Sequence, residues 1–278
     1  MNHILLISLL FISTIIVLVI LCIINKKDDF DDNNDINNKF VLITDHYVHK
    51  DQERYQEICD AIKKNIKCSH ISKILLCNEN KDNVYIDESN SGKIINYPTN
   101  KRSTFYDFFK LANTLSDGTF VIISNNDISF DKTLININKI NLDNVAICLG
   151  RRDTNNINKL EHWTKMGLSH DSWIFKTPIK TPEDCNFYLG TTACDRHLAY
   201  LLDNVGYKCI NPCHNIVAQH HHKSENRKWV SKPSSFNGKY KVVPVLETIL
   251  DDKSILNKKS TNSKSLFSIL YRLLEYWT

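Results

Sequence analysis

Between Phe40 and Leu149, short apolar runs alternate with stretches of helical periodicity. No other feature narrows the possible folds as far. Phe40–Thr44, Ile71–Cys77, Lys93–Tyr97, Thr119–Ser124 and Val145–Leu149 are short, rich in β-branched residues and bounded by polar residues or Pro98, as strands are. Gln52–Lys64 carries Tyr55, Ile58, Cys59 and Ile62 on one helical face, and Thr104–Leu115 carries Phe105, Phe108, Phe109, Ala112 and Leu115. Strands joined through helices predict an α/β fold, a mostly parallel central sheet flanked by helices. Ligands of such sheets sit outside the carboxyl ends of the strands. Polar residues that end a strand are therefore the first candidates for function.

The flanks differ in kind. Ile4–Ile24 has no charge, and about 20 apolar residues match the hydrocarbon core of a bilayer. A cleaved signal peptide fits less well, because no Lys or Arg precedes the run and no small-x-small site follows it. The expected order is an N-terminal flank 1–3, a transmembrane helix 4–24, an acidic polar stalk 25–39, a main domain 40–235 and a tail 236–278. Lys26 and Lys27 follow the span, and positive charge stays cytoplasmic. No Asn-x-Ser/Thr acceptor site occurs in an Asn-rich chain. Both features point to a single-pass membrane protein with a cytosolic domain. In the tail, Leu266, Leu270, Leu273 and Trp277 form an amphipathic stripe that either packs on the domain or lies in the membrane interface.

The formal net charge of +4 is spread along the chain, which excludes a nucleic-acid stripe. The nine cysteines show no framework spacing and read as buried free thiols in a reducing compartment. Cys209, Cys213 and His214 lack the repeated close pairs of a zinc site.

Several strand ends carry chemistry. Phe120–Ile123 stops on Ser124, Asn125, Asn126 and Asp127. These four read as an Asx turn or as a ligand-facing loop. Thr44 and Asp45 end the first strand. Asp171 precedes the apolar run Trp173–Phe175. Asp195 opens a helix, where it serves as an N-cap or as a general base. Trp173 reads as core. Arg151 and Arg152 follow the fifth strand and face a ligand or form a solvated turn.

In order, the segments SNNDISFD, LGRRD, SHDSWIF, FYLGTTACDRHLAYLL, GYKCINP and HHHKSENR resemble nucleotide-sugar glycosyltransferases of the GT-A fold. Members of that group carry Asn-Ser-Asp-Ile, Ser-Gln-Asp-Ala-Trp-Ile-Phe, Gly-x-x-x-Cys-Asp and His-x-His-x-Ser. The resemblance runs from about Phe40 to about Arg227. It implies a divalent cation, Mn²⁺ or Mg²⁺, held by Asp127 and His222 against the donor diphosphate. Asn125 takes the place of the first acid of the metal-binding motif, and an amide oxygen is a weaker ligand than a carboxylate. It further implies donor contacts from Thr44, Asp45, Asn125, Asn126, Arg152 and Arg227, with Asp195 and Asp171 as the catalytic carboxylates. The expected activity is transfer of a sugar from a nucleotide-sugar donor to a glycan, protein or lipid acceptor. The alternatives are an inactive scaffold of the same fold that binds glycans or a partner, and a zinc-dependent hydrolase.

Overall fold

The computed structural model describes residues 39–79, 92–153, 156–222, 236 and 239–249. The expected membrane helix 4–24, Arg227 and the amphipathic tail lie outside these residues. Among the described residues, no helix is long and apolar enough to cross a membrane.

Among the described residues, ten strands and four α-helices follow in chain order: β1 (Phe40–His46), α1 (Gln52–Lys67), β2 (Ile71–Asn78), β3 (Ile94–Pro98), α2 (Phe105–Ala112), β4 (Phe120–Ser124), β5 (Ile128–Phe130), a 3₁₀ helix (Lys132–Lys139), β6 (Val145–Leu149), β7 (Arg152–Asp153), α3 (His162–Lys165), β8 (Ser172–Lys176), α4 (Cys194–Asn204), β9 (Lys208–Ile210) and β10 (Ala218–His220). Seven strands form the main sheet in the order β3-β2-β1-β4-β8-β6-β9, and β5-β10-β7 form a small second sheet. The main sheet is parallel except for β8, which runs against both β4 and β6. The expected mostly parallel sheet is therefore present, with one reversed strand.

Period-2 alternation divides the strands between two apolar layers. Phe40, Leu42, Ile122, Ile147 and Ile174 face α1, which contributes Ile58, Ile62 and Ile66. Val41, Ile43, Val121, Ile123, Cys148, Trp173 and Phe175 face α2 and α4. Trp173 is fully buried, edge-on to Phe105 with ring centroids 4.9 Å apart. It is core, although one side borders the cleft described below.

Local signals set the helix ends. The Asp51 carboxylate caps α1 by accepting from the backbone N–H groups of Glu53 and Arg54, at 2.9 and 3.2 Å. Thr104 and Asp107 form a reciprocal capping box on α2. That helix stops at Ala112, short of the expected Leu115, because Asn113 closes it and turns its side chain to Ile179. Gly206 follows α4 with φ of +89°, where glycine carries no Cβ penalty. Val243 and Ile249, in the expected tail, are buried in the two apolar layers.

Candidate active site

The strand register brings polar chain ends to one rim. Thr44 pairs with Ser124, Ser124 with Ser172, and Ser172 with Leu149. Because β8 is reversed, its entering residues reach the rim where its neighbours leave. The backbone N–H of Asp171 donates to the Leu149 carbonyl at 3.1 Å, and that of Asn125 donates to the Asp171 carbonyl at 3.0 Å. The side chains continue this join. Asn125 Nδ2 donates to Asp171 Oδ1 at 2.6 Å, and Arg151 Nη1 lies 3.0 and 2.9 Å from the two Asp171 oxygens. The turn after β4 is closed by the main chain, Ile128 N–H to Asn125 carbonyl at 3.2 Å. The Asn125 side chain is thus given to Asp171, not to an Asx turn.

Asp195 sits in the first turn of α4. The N-cap position belongs to Ala193, whose φ of 62° is left-handed, and no side chain caps that helix. The Asp195 carboxylate instead accepts from the backbone N–H groups of His170 and Arg196, at 3.1 and 2.9 Å. Burial pushes its pKa up to about 6, and Asp171 adds to that rise against the pull of the two N–H groups. Burial also lowers the pKa of the neighbouring His170 to about 4.

Asp127 is 2% exposed. Arg54 Nη2 and His220 Nε2 both bond its Oδ2, the latter at 3.1 Å. Burial alone would raise its pKa, but His220 and Arg54 outweigh it and hold the carboxyl well below the usual range. Arg54 also bonds Glu57 Oε2 at 2.8 Å, and His220 Nδ1 lies 3.0 Å from Asp153 Oδ1. His222 stacks on His220 with centroids 5.4 Å apart, and its Nδ1 is 3.5 Å from Glu57. His221 faces the other way, its Nε2 2.8 Å from Ser129 Oγ.

A cleft of about 620 Å³ opens over this rim. Of the residues expected from sequence, Asn125, Asp171, Asp195 and His222 line it. Thr44 and Asp45 are buried at the end of β1. Thr44 Oγ1 donates to the Ser124 carbonyl at 2.9 Å, and burial raises Asp45 to about 6. Asn126 is buried, and none of these three lines the cleft. Arg152 turns away and donates to the carbonyls of Ile157 and Cys213 at 3.1 and 2.9 Å. Its neighbour Arg151 lines the cleft instead, because adjacent residues of an extended chain face opposite sides.

Sequence reasoning missed Arg54 and Trp163. Arg54 lies on the polar flank of a helix otherwise read by its apolar face. Trp163 is 52% exposed at the cleft edge on the single-turn helix α3. No periodicity in the sequence separates either from an ordinary surface residue.

The two expected metal ligands already have protein partners. Asp127 is engaged by Arg54 and His220, and His222 turns to Glu57. Among the described residues, no group of three or more His, Cys, Asp or Glu side chains is placed to hold a metal ion. The Cys209 thiol points at the Ala199 carbonyl at 3.6 Å, and Cys213 is buried in the core, so the zinc reading gains no support.

No protein-family profile matches the chain, and no curated protein matches it. Among solved structures it is similar to a mannosyltransferase from Pyrobaculum calidifontis in complex with GDP-Man and Mn²⁺, at 14% identity over 68% of this chain and 58% of that one, with a TM-score of 0.44. It is also similar to S. aureus TarS residues 1–349, at 13% identity over 67% of this chain and 59% of that one, with a TM-score of 0.39. The chain thus spans less than two thirds of the length of either.

Proposed function

We propose that this chain is a GT-A-like glycosyltransferase that moves a sugar from a nucleotide-sugar donor to an acceptor hydroxyl. The observation that carries this reading is one cleft at the sheet rim, lined both by a half-buried carboxylate of raised pKa, Asp195, and by the guanidinium groups of Arg54 and Arg151. Sugar transfer needs both. The bond from the anomeric carbon to the diphosphate oxygen breaks, and its electron pair leaves with the diphosphate. The acceptor oxygen attacks the anomeric carbon and gives its proton to a base. Asp195 is our choice of base, since burial brings its pKa close to the working range of such a group. Asp171, clamped by Arg151 and Asn125, positions the loop beside it. Cationic donors stabilise the charge that develops on the diphosphate.

On the expectations from sequence, the domain is anchored by residues 4–24 and faces the cytosol. Of the cofactors so expected, Mn²⁺ and Mg²⁺ would meet an Asp127 whose Oδ2 is already bonded by Arg54 and His220, and no step is assigned to them. The test is to incubate the full chain with a panel of nucleotide sugars and measure nucleoside diphosphate release, beside Asp195→Asn. Release lost in the variant supports the reading. A folded chain that releases nothing from any donor supports the inactive scaffold.

A further inference from the structure

We infer that Arg54 supplies the positive charge for the donor diphosphate, so that donor binding does not require a divalent cation. This rests on the glycosyltransferase reading. A divalent ion at this rim would need open carboxylate oxygens. Three buried acids around this rim already bond a guanidinium, and Asp195 already accepts from two backbone N–H groups. Asp127 and Glu57 bond Arg54, and Asp171 bonds Arg151. The amide that replaces the first acid, Asn125, is likewise given to Asp171. An ion bound through Asp127 would also lie close to the Arg54 and His220 donors on the same oxygen, where like charges repel.

The geometry of Arg54 suits an anion. A guanidinium has five N–H groups. Three are committed, to Glu57, to the His221 carbonyl at 3.3 Å and to Asp127. Two have no partner among the described residues, and Arg54 lines the cleft with its side chain 14% exposed. Glu57 and Asp127 hold the guanidinium in one place, and a fixed fork is the form of charge that best matches phosphate oxygens. Arg54 also stands in the first turn of the 16-residue helix α1, the end whose field favours an anion.

The test is calorimetry on the full chain in mild detergent. Diphosphates of uridine, guanosine, adenosine, cytidine and thymidine are titrated once in EDTA and once in Mn²⁺. We expect the dissociation constant of the preferred nucleotide to agree between the two to within about twofold. Arg54→Met should weaken binding roughly tenfold to a hundredfold in both, the scale of one lost charge-assisted hydrogen bond. Arg54→Lys keeps the charge without the fork and should weaken binding by a smaller factor. It carries the test if the Met variant does not fold, as read by circular dichroism. Binding that appears only with Mn²⁺, or that is equally tight in EDTA for both Arg54 variants, overturns the inference and leaves the glycosyltransferase reading standing. A folded chain that binds no nucleoside diphosphate in either buffer overturns both.

Discussion

Asp195 shows how one side chain can link activity and stability to pH. As a base it must be ionised, so kcat/KM should rise with pH through about 6. Asp195→Asn should cost about 10²-fold or more in rate and erase that limb of the profile, while donor affinity changes little. A profile unaltered in shape by the variant would remove Asp195 from the role. Stability moves the other way. The folded pKa lies above the ordinary 3.8, so the folded state holds a proton that the unfolded state has released. The contribution is whole below 3.8 and lost as pH rises through about 6, so Asp195→Asn should lose less stability than the parent over that window. Residue identities at the rim were partly legible. Asn125, Asp171, Asp195 and His222 stand in polar interruptions of apolar runs and do line the cleft. Arg152 stood beside Arg151 with nothing in the sequence to say which of the two faced inward.

Among the elements, the short helix α3 depends on one missing side chain. A Cβ at Gly150 would lie 2.3 Å from Thr164 Cγ2. Thr164 is buried, and its Oγ1 accepts from the Arg151 backbone N–H at 3.2 Å. Gly150 therefore lets α3 close on the end of β6 and fixes the entry of Arg151 into the cleft. Gly150→Ala should destabilise by about 1–3 kcal/mol, as overpacking does, and slow catalysis through Arg151. Adding Thr164→Ser removes the crowded methyl and keeps the hydroxyl, so the double variant should recover most of the loss in urea unfolding. No recovery would mean that the glycine serves its backbone conformation and not this contact. The major strands and helices were readable because burial on both faces or on one stripe imposes a period. The small sheet was not, since β5, β7 and β10 have three residues or fewer and leave too little pattern to detect.

For the whole molecule, the two apolar layers enclose most of the thiols. All eight described cysteines are free, and only Cys209 among them is more than slightly exposed. Burial pushes Cys77, Cys185, Cys194 and Cys213 up to about 12, so they remain protonated and unreactive at neutral pH. With a thiol reagent, Cys209 should react first among these eight in the native protein, and all eight should titrate in denaturant. Disulfides found by mass mapping would contradict this arrangement and the cytosolic placement with it.

The reversal of β8 has a kinetic meaning. A rim loop that leaves a parallel strand is held on its sheet side only up to its last ladder bond. Asp171 enters a strand with partners on both sides, and its own N–H and carbonyl extend those ladders to Leu149 and Asn125. Its amide and that of Asn125 should exchange with deuterium at the slow rates of the sheet interior, set by openings of the whole unit and not by local fraying. A carboxylate mounted there moves on the clock of the core.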